Sequence, residues 1–224
     1  GDDTYSDLDG NDNVTLGAGD DTIDVGDAEL TYQDTVDGGD GSDTIELDAT
    51  TAVADIAFQS VSNVETITIT DANAGLTIGN WAAAAGIVNV NALSGVNNTI
   101  SAAGYATGVT ITAATNAGDD DDLTGGQGND TYVFSGANGL EDGDVIDGTA
   151  GSDVIQLDNS GGAVTAVVDM DDIDNVLSIQ TADDDGGDDT TAEEIAVTFS
   201  AIAETTEQTV TVDASSITDD DDDL

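Results

Sequence analysis

The sequence predicts an all-β protein, a right-handed parallel β-roll or β-helix solenoid, and three observations predict it. First, a glycine-rich or acidic turn ends in an aspartate eight times, and an aliphatic or Tyr residue follows two positions later. Second, the copies recur at nine-residue spacing, the period of stacked β-turn repeats and not of a helix. Third, the stretches between them carry short strands with apolar residues at alternate positions, punctuated by Gly, Asn and Ala. A solenoid needs no single large core, because each coil buries its apolar residues on the next.

Residues 1–48 form the first block of nonapeptides. Gly1-Asp2-Asp3-Thr4-Tyr5 is the back end of one copy, Asp7 to Thr15 is a second and Leu16 to Asp24 a third. Val25 to Asp37 breaks the register by four residues and reads as a loop, and Gly38 to Glu46 restores it. Residues 49–115 read as a parallel β-helix, free of acid from 72 onward. Val61-Ser-Asn-Val-Glu-Thr-Ile-Thr-Ile69 ends as an alternating strand, and Leu76/Ile78, Val88/Val90, Ile100 and Val109/Ile111 mark further ones. Trp81-Ala82-Ala83-Ala84-Ala85 reads as one short helical turn or a cap. Residues 116–158 form a second block, with Asn116 to Thr124, Gly125 to Val133, Gly139 to Asp147 and Gly148 to Gln156. Residues 159–224 are again β-rich, with an acidic loop over Asp183 to Thr191. The chain is internally duplicated: Asp37 to Asp48 aligns with Asp147 to Asp158, and Asn63-Val64 and Ile67 align with Asn175-Val176 and Ile179. Its end would lead back into its beginning, so it reads as an excerpt of a longer tandem array without terminal caps.

The chain carries 49 acidic residues and no Lys, Arg or His, for a formal charge of −49. Two carboxylates about 4 Å apart repel by roughly 4 kcal/mol at an effective dielectric near 20. No protein cation can offset this, so a compact fold needs dissolved cations. The absence of Lys and Arg argues against binding nucleic acid or anionic lipid, which needs counterion release by protein cations. No apolar run is long enough to insert in a membrane. There is no Cys and hence no disulfide framework, which fits an extracellular protein stabilised by metal.

The turn residues suit calcium, a hard cation that takes six to eight oxygens at about 2.3–2.6 Å. The sixth-place carboxylates are Asp3, Asp12, Asp21, Asp43, Asp121, Asp130, Asp144 and Asp153. Asp9, Asn11, Asp20, Asp40 and Asn129 at third and fifth places can add oxygens. Gly10, Gly17, Gly19, Gly39, Gly41, Gly126, Gly128 and Gly151 allow backbone conformations with φ > 0 that turn carbonyls inward. For any one aspartate, the competing reading is a turn former whose carboxylate bonds its own backbone.

These nonapeptides resemble the RTX, or hemolysin-type, repeats of bacterial secreted proteins, over residues 1–24, 38–46, 116–133 and 139–156. The resemblance implies several Ca²⁺ ions between turns, unfolded type I export and folding outside the cell. Several copies depart from the pattern: Asp7-Leu8 replaces the glycine pair, Asp119 and Asp142 the fourth-place Gly, and Thr149 the second. Those sites are expected to be weaker or empty. The intervening β-helical stretches are similar to those of RTX-containing surface-layer proteins and large adhesins.

The first expectation for function is a secreted, calcium-rigidified structural module of a surface layer, filament or adhesin stalk, self-associating into a lattice or fibre through bridging calcium. A second is an accessory or secretion module of a type I secreted enzyme or toxin. Catalysis by His, Cys, Lys or Arg is impossible within these residues, so no enzyme activity is expected here. A third is an adhesin that binds ice or a surface polysaccharide by a flat face, suggested by Thr66-Ile-Thr-Ile-Thr70, Thr110-Ile-Thr112 and Thr209-Val-Thr211.

Overall fold

The inward-facing residues of the Thr-aliphatic pattern dictate the architecture. In the computed structural model the residues described are 1–182, apart from 7, 27–28, 49–50, 71–74, 93–96, 114–119, 136–138, 142, 159–163 and 169–172, and beyond them the strands 195–199 and 211–213. The described chain is a parallel β-solenoid. Its main sheet has ten strands, from Thr4–Ser6, Thr22–Val25, Thr44–Leu47 and Thr66–Ile69 through Asn89–Ala92, Thr110–Thr112 and Thr131–Ser135 to Asp153–Asp158, Val176–Ala182 and Thr211–Asp213. Each is β-branched or aromatic at alternate positions, the composition that suits a half-buried pleated surface. The absence of Pro leaves every backbone N–H available to the ladder.

Between successive main-sheet strands the chain crosses to the opposite face. There it forms a three-stranded sheet of Asn13–Ala18, Thr35–Asp40 and Val61–Ser62, then a five-stranded sheet running from Gly75–Thr77 to Ile173–Asp174. One coil is therefore two nonapeptides, with one on each edge of the solenoid. The core is a set of stacked rows. Ile23, Ile45, Ile67, Val90, Ile111, Tyr132, Ile155 and Ile179 follow one another in register along the main sheet. Val14, Val36 and Val61, then Leu76, Ile100, Leu123, Ile146 and Ile173, line the opposite wall. All are buried, and burial of such a side chain contributes about 1.5–3 kcal/mol.

The stretch 72–118 forms the strands its U-x-U pattern predicts at Gly75–Thr77, Asn89–Ala92, Thr99–Ser101 and Thr110–Thr112. Val88 is 45% exposed and stands just before its strand, so of the expected pair Val88/Val90 only Val90 faces inward, followed by Ala92. The alanine run is a helix, α1, Asn80–Ala85, closed by Gly86 at φ 107°. The loop expected over 25–37 ends early: Thr35 begins a strand that continues through Gly38-Gly39-Asp40, so part of the glycine turn is itself extended. The main sheet runs without interruption from the first glycine-rich block into the acid-free stretch and on through the second block. Among the described residues, no helix is long and apolar enough to cross a membrane.

Candidate metal centres

The sixth-place carboxylates fall on two edges of the solenoid. Asp3, Asp21, Asp43, Asp130 and Asp153 stand immediately before main-sheet strands, or at the start of one, and Asp12, Asp121 and Asp144 before strands of the opposite face. Asp119 and Asp142, the two fourth-place departures, lie outside the described residues, as does the Asp183 to Thr191 loop. On the first edge the Oδ1 of Asp21, Asp43 and Asp153 accepts the backbone N–H of the aspartate one coil earlier, and that of Asp130 accepts the N–H of Val109. Asp3 donates to Asp21 at 2.6 Å, Asp21 to Asp43 at 2.8 Å and Asp130 to Asp153 at 2.8 Å. Fifth-place residues bond in the opposite sense. The Asp20 N–H donates back to Asp2 Oδ1, that of Ser42 to Asp20 Oδ1, and that of Ser152 to Asn129 Oδ1. Neighbouring coils are thus tied reciprocally by side chain and backbone, before any metal is considered. Asp9, Asn11 and Asp40 are exposed at the turn surface.

Three further residues belong to these columns and were not expected there. Asp34 Oδ1 accepts the Asp12 N–H at 2.9 Å, Glu65 Oε2 that of Asp43 at 2.8 Å, and Asp121 Oδ1 that of Asn98 at 2.7 Å. All three end turns that lack a glycine pair, which is why a glycine-based pattern passed over them. The signal that finds them is a shorter one. Asp34-Thr35-Val36, Glu65-Thr66-Ile67 and Asn98-Thr99-Ile100 repeat the Asp43-Thr44-Ile45 tripeptide with an acid or amide in front of Thr and an inward aliphatic.

The second carboxylate oxygens divide the columns into two groups. At Asp34, Asp130 and Asp144 the second oxygen is taken by a nearby backbone N–H: Thr31 at 2.8 Å, Gly126 at 2.6 Å and Glu141 at 2.7 Å. These three behave as turn formers. At Asp12, Asp21, Asp43 and Asp153 the Oδ2 is buried and has no hydrogen-bond partner. A buried carboxylate oxygen without a donor is costly, and this chain has no side-chain cation to supply one.

The glycines are of two kinds. Gly10, Gly17, Gly19, Gly39, Gly41 and Gly151 have φ between 113° and 151°, as expected of the second and fourth places. Thr149 also takes this conformation, at φ 60°, in a second place without glycine. Gly126 and Gly128 do not. They are required instead by close approach, because a Cβ would stand 2.5 Å from the Tyr105 carbonyl oxygen and 2.2 Å from the Gly108 nitrogen. First-place Gly38, Gly125 and Gly148 likewise need no positive φ; a Cβ on each would strike Oδ2 of the sixth-place Asp43, Asp130 or Asp153 at 2.4–2.5 Å. Carbonyl oxygens of Gly17, Gly19 and Gly128 face the Cβ positions of Gly39, Gly41 and Gly151 at 1.9–2.0 Å, so the turns stack carbonyl against side-chain-free glycine.

Burial pushes the Asp43, Asp130 and Asp153 carboxyls above the usual 3.8. Accepted backbone N–H bonds oppose the shift, and the stacked neighbours Asp21 and Glu65 add to it at Asp43, as Asp130 and Asp147 do at Asp153. The Tyr132 hydroxyl, buried beside Asp130 and Asp153, is raised as well. Among the described residues no three carboxylates close on one point. A cation at these turns would have to complete its shell from backbone carbonyls and water, both ordinary ligands for calcium. The donor set is wholly oxygen, with no imidazole or thiol in the chain, which favours a hard cation over zinc or copper. Compared with known proteins, the chain matches no family model, no curated sequence and no solved structure.

Proposed function

We propose that this chain is a calcium-folded structural segment of a secreted surface assembly: a surface layer, a filament or an adhesin stalk. The observation that carries the reading is the set of buried, partnerless Oδ2 atoms at Asp12, Asp21, Asp43 and Asp153, in a chain with no Lys, Arg or His. A divalent ion between coils would neutralise the stacked carboxylates and reverse the burial-driven rise in pKa at Asp43 and Asp153. Sites of low ligand charge and modest rigidity bind in the range of extracellular modules, about 10⁻⁴–10⁻³ M, so the fold would form outside the cell. Self-association would run through shared calcium, because copies of this chain cannot form side-chain salt bridges with one another.

The test is a calcium titration followed by circular dichroism and light scattering, with magnesium as the control. Disorder should give way to β-structure within that range, and scattering should rise with it. Folding without scattering would favour a monomeric spacer or an accessory module of a secreted enzyme. No response to calcium removes the metal reading.

One observation favours a second reading, a ligand-binding face. One of the two outward columns of the main sheet is Thr4, Thr22, Thr44, Thr66, Asn89, Thr110, Thr131, Val154 and Ser178, in register and without a charge, while the column beside it carries Asp24 and Glu46. An uncharged, mostly polar row on so acidic a chain is a surface that a neutral polysaccharide could approach. Retention of the calcium-loaded protein on insoluble glycans would support it, and the absence of retention would leave the structural role alone.

A further inference from the structure

Two places in the fold bring a main-chain carbonyl oxygen and a partnerless carboxylate oxygen against the same glycine, and neither is a contact between two glycine turns. After the turn Gly38 to Asp43 the next coil returns without glycine, and Asn63 takes the left-handed conformation at φ 52°. A Cβ on Gly38 would stand 2.1 Å from the Asn63 carbonyl oxygen and 2.5 Å from Asp43 Oδ2. Asp43 is fully buried and that Oδ2 has no partner. The Asn63 side-chain amide donates to Asp37 Oδ1 at 2.7 Å, which holds the residue left-handed and fixes where its carbonyl points.

The second half of the chain builds the same joint. Asn175 has φ 59° and donates to Asp147 Oδ1 at 2.8 Å. A Cβ on Gly148 would stand 2.5 Å from Asp153 Oδ2 and 2.7 Å from the Asn175 carbonyl oxygen. Asp153 is fully buried and its Oδ2 is also without a partner. Neither a carbonyl nor a carboxylate can donate a proton, so two such oxygens crowded against one glycine repel unless something positive lies between them.

We infer that each joint holds a calcium ion between the last carboxylate of a glycine-turn block and the main-chain carbonyl of a left-handed asparagine, fastening the block to the coil that follows. This inference rests on the calcium reading above and adds a site that the nonapeptides do not specify. With few protein oxygens, the ion keeps several waters, and the joint binds more weakly than a site between two glycine turns. The joints differ in one respect. Glu65 follows Asn63-Val64 and bonds the Asp43 N–H, whereas Leu177 follows Asn175-Val176. The additional negative charge makes the first joint the tighter.

The experiment counts bound calcium by equilibrium dialysis on the full chain, with circular dichroism in saturating calcium to confirm folding. Asn63→Val, β-branched and averse to positive φ, should bind one ion fewer than the parent. Asn63→Gly, which keeps the left-handed backbone, should recover it. Asp43→Asn should also lose one ion, because its amide can donate to the Asn63 carbonyl and close the joint without metal. If Asn63→Val fails to fold, Asn175→Val at the second joint decides in the same way. Asp34→Asn, at a carboxylate whose oxygens are both hydrogen-bonded, should lose none. A folded Asn63→Val or Asp43→Asn protein with the parent's full count overturns the joint. A parent that binds no calcium overturns instead the reading on which the joint rests.

Discussion

At the scale of single residues, stacked glycines and buried aspartates make opposite demands. Gly39 has φ +113° and a Cβ there would lie 2.0 Å from the Gly17 carbonyl oxygen; Gly17 has the same φ but nothing within 4 Å of its Cβ position. Gly17→Ala therefore meets only the left-handed penalty, about 1–2 kcal/mol. Gly39→Ala adds a collision with rigid backbone, and its loss of stability in calcium should exceed that of Gly17→Ala by at least about 2 kcal/mol. Equal melting losses would contradict the carbonyl-on-glycine stacking. The aspartates predict a pH dependence whose sign is fixed. Asp43, Asp130 and Asp153 titrate above 3.8 in the fold. As pH rises past that value the unfolded chain releases these protons first, so the metal-free fold loses stability up through the raised values. In chelator, β-structure should be greater at mildly acidic pH than at neutrality, and calcium should abolish the difference while releasing protons. A metal-free fold that strengthens toward neutral pH would refute the burial of these groups. The aspartates of the nonapeptides were legible in the sequence because glycine flags them. Asp34, Glu65 and Asn98 were not, because what places them is their position before Thr and an inward aliphatic, a signal three residues long.

At the scale of elements, α1 is held from outside itself. Six residues are too few for a stable isolated helix, and α1 has no side-chain cap of its own. Asp55, from the preceding coil, supplies one. Its Oδ1 accepts N–H bonds from Gly79 at 2.7 Å and Ala82 at 3.0 Å, and its Oδ2 one from Trp81 at 3.2 Å. Asp55→Ala should cost about 2 kcal/mol, seen as a lower melting temperature in calcium, with Asp55→Asn intermediate. No change would mean that packing against the 3₁₀ turn Asp55–Phe58 holds the helix unaided. The alanine run allowed one helical turn or a cap, and nothing local to it announced the capping carboxylate, which lies 24–27 residues earlier. The duplicated Asn63-Val64 and Asn175-Val176 pairs were visible as an alignment. Their left-handed backbone was not, because an Asn adopts it only where a neighbouring coil, here through Asp37 or Asp147, fixes it.

At the scale of the molecule, electrostatics and packing pull apart. Stacked rows of Ile, Val and Leu favour a rod, and a charge of −49 opposes it. In chelator at low salt the chain should approach the radius of gyration of an unfolded polymer this long, about 50 Å, by small-angle scattering. Sodium chloride at about 0.1 M screens over roughly 10 Å, too far to separate carboxylates stacked about 4.8 Å apart. Monovalent salt should therefore fail to replace calcium. Full compaction by sodium alone would show that diffuse screening suffices. The parallel solenoid was legible from the repeat and its alternation, but the size of a coil was not. Nine is the period of the turn, and two turns on opposite edges close one coil.

The hydrogen-bonded columns join aspartates 18, 22 and 23 residues apart, yet every such pair sits on neighbouring strands of one sheet. What keeps register is the inward apolar residue near the start of each strand, and the length of chain between these residues is free to vary. A gene of this design would tolerate unequal recombination: a crossover between any two coils yields an array that is longer or shorter but still in phase, whatever the lengths of the loops exchanged. The same freedom makes the exposed turn at Tyr32-Gln33 a natural place to graft a foreign peptide, displayed from one edge of the rod while the ladder beside it stays intact.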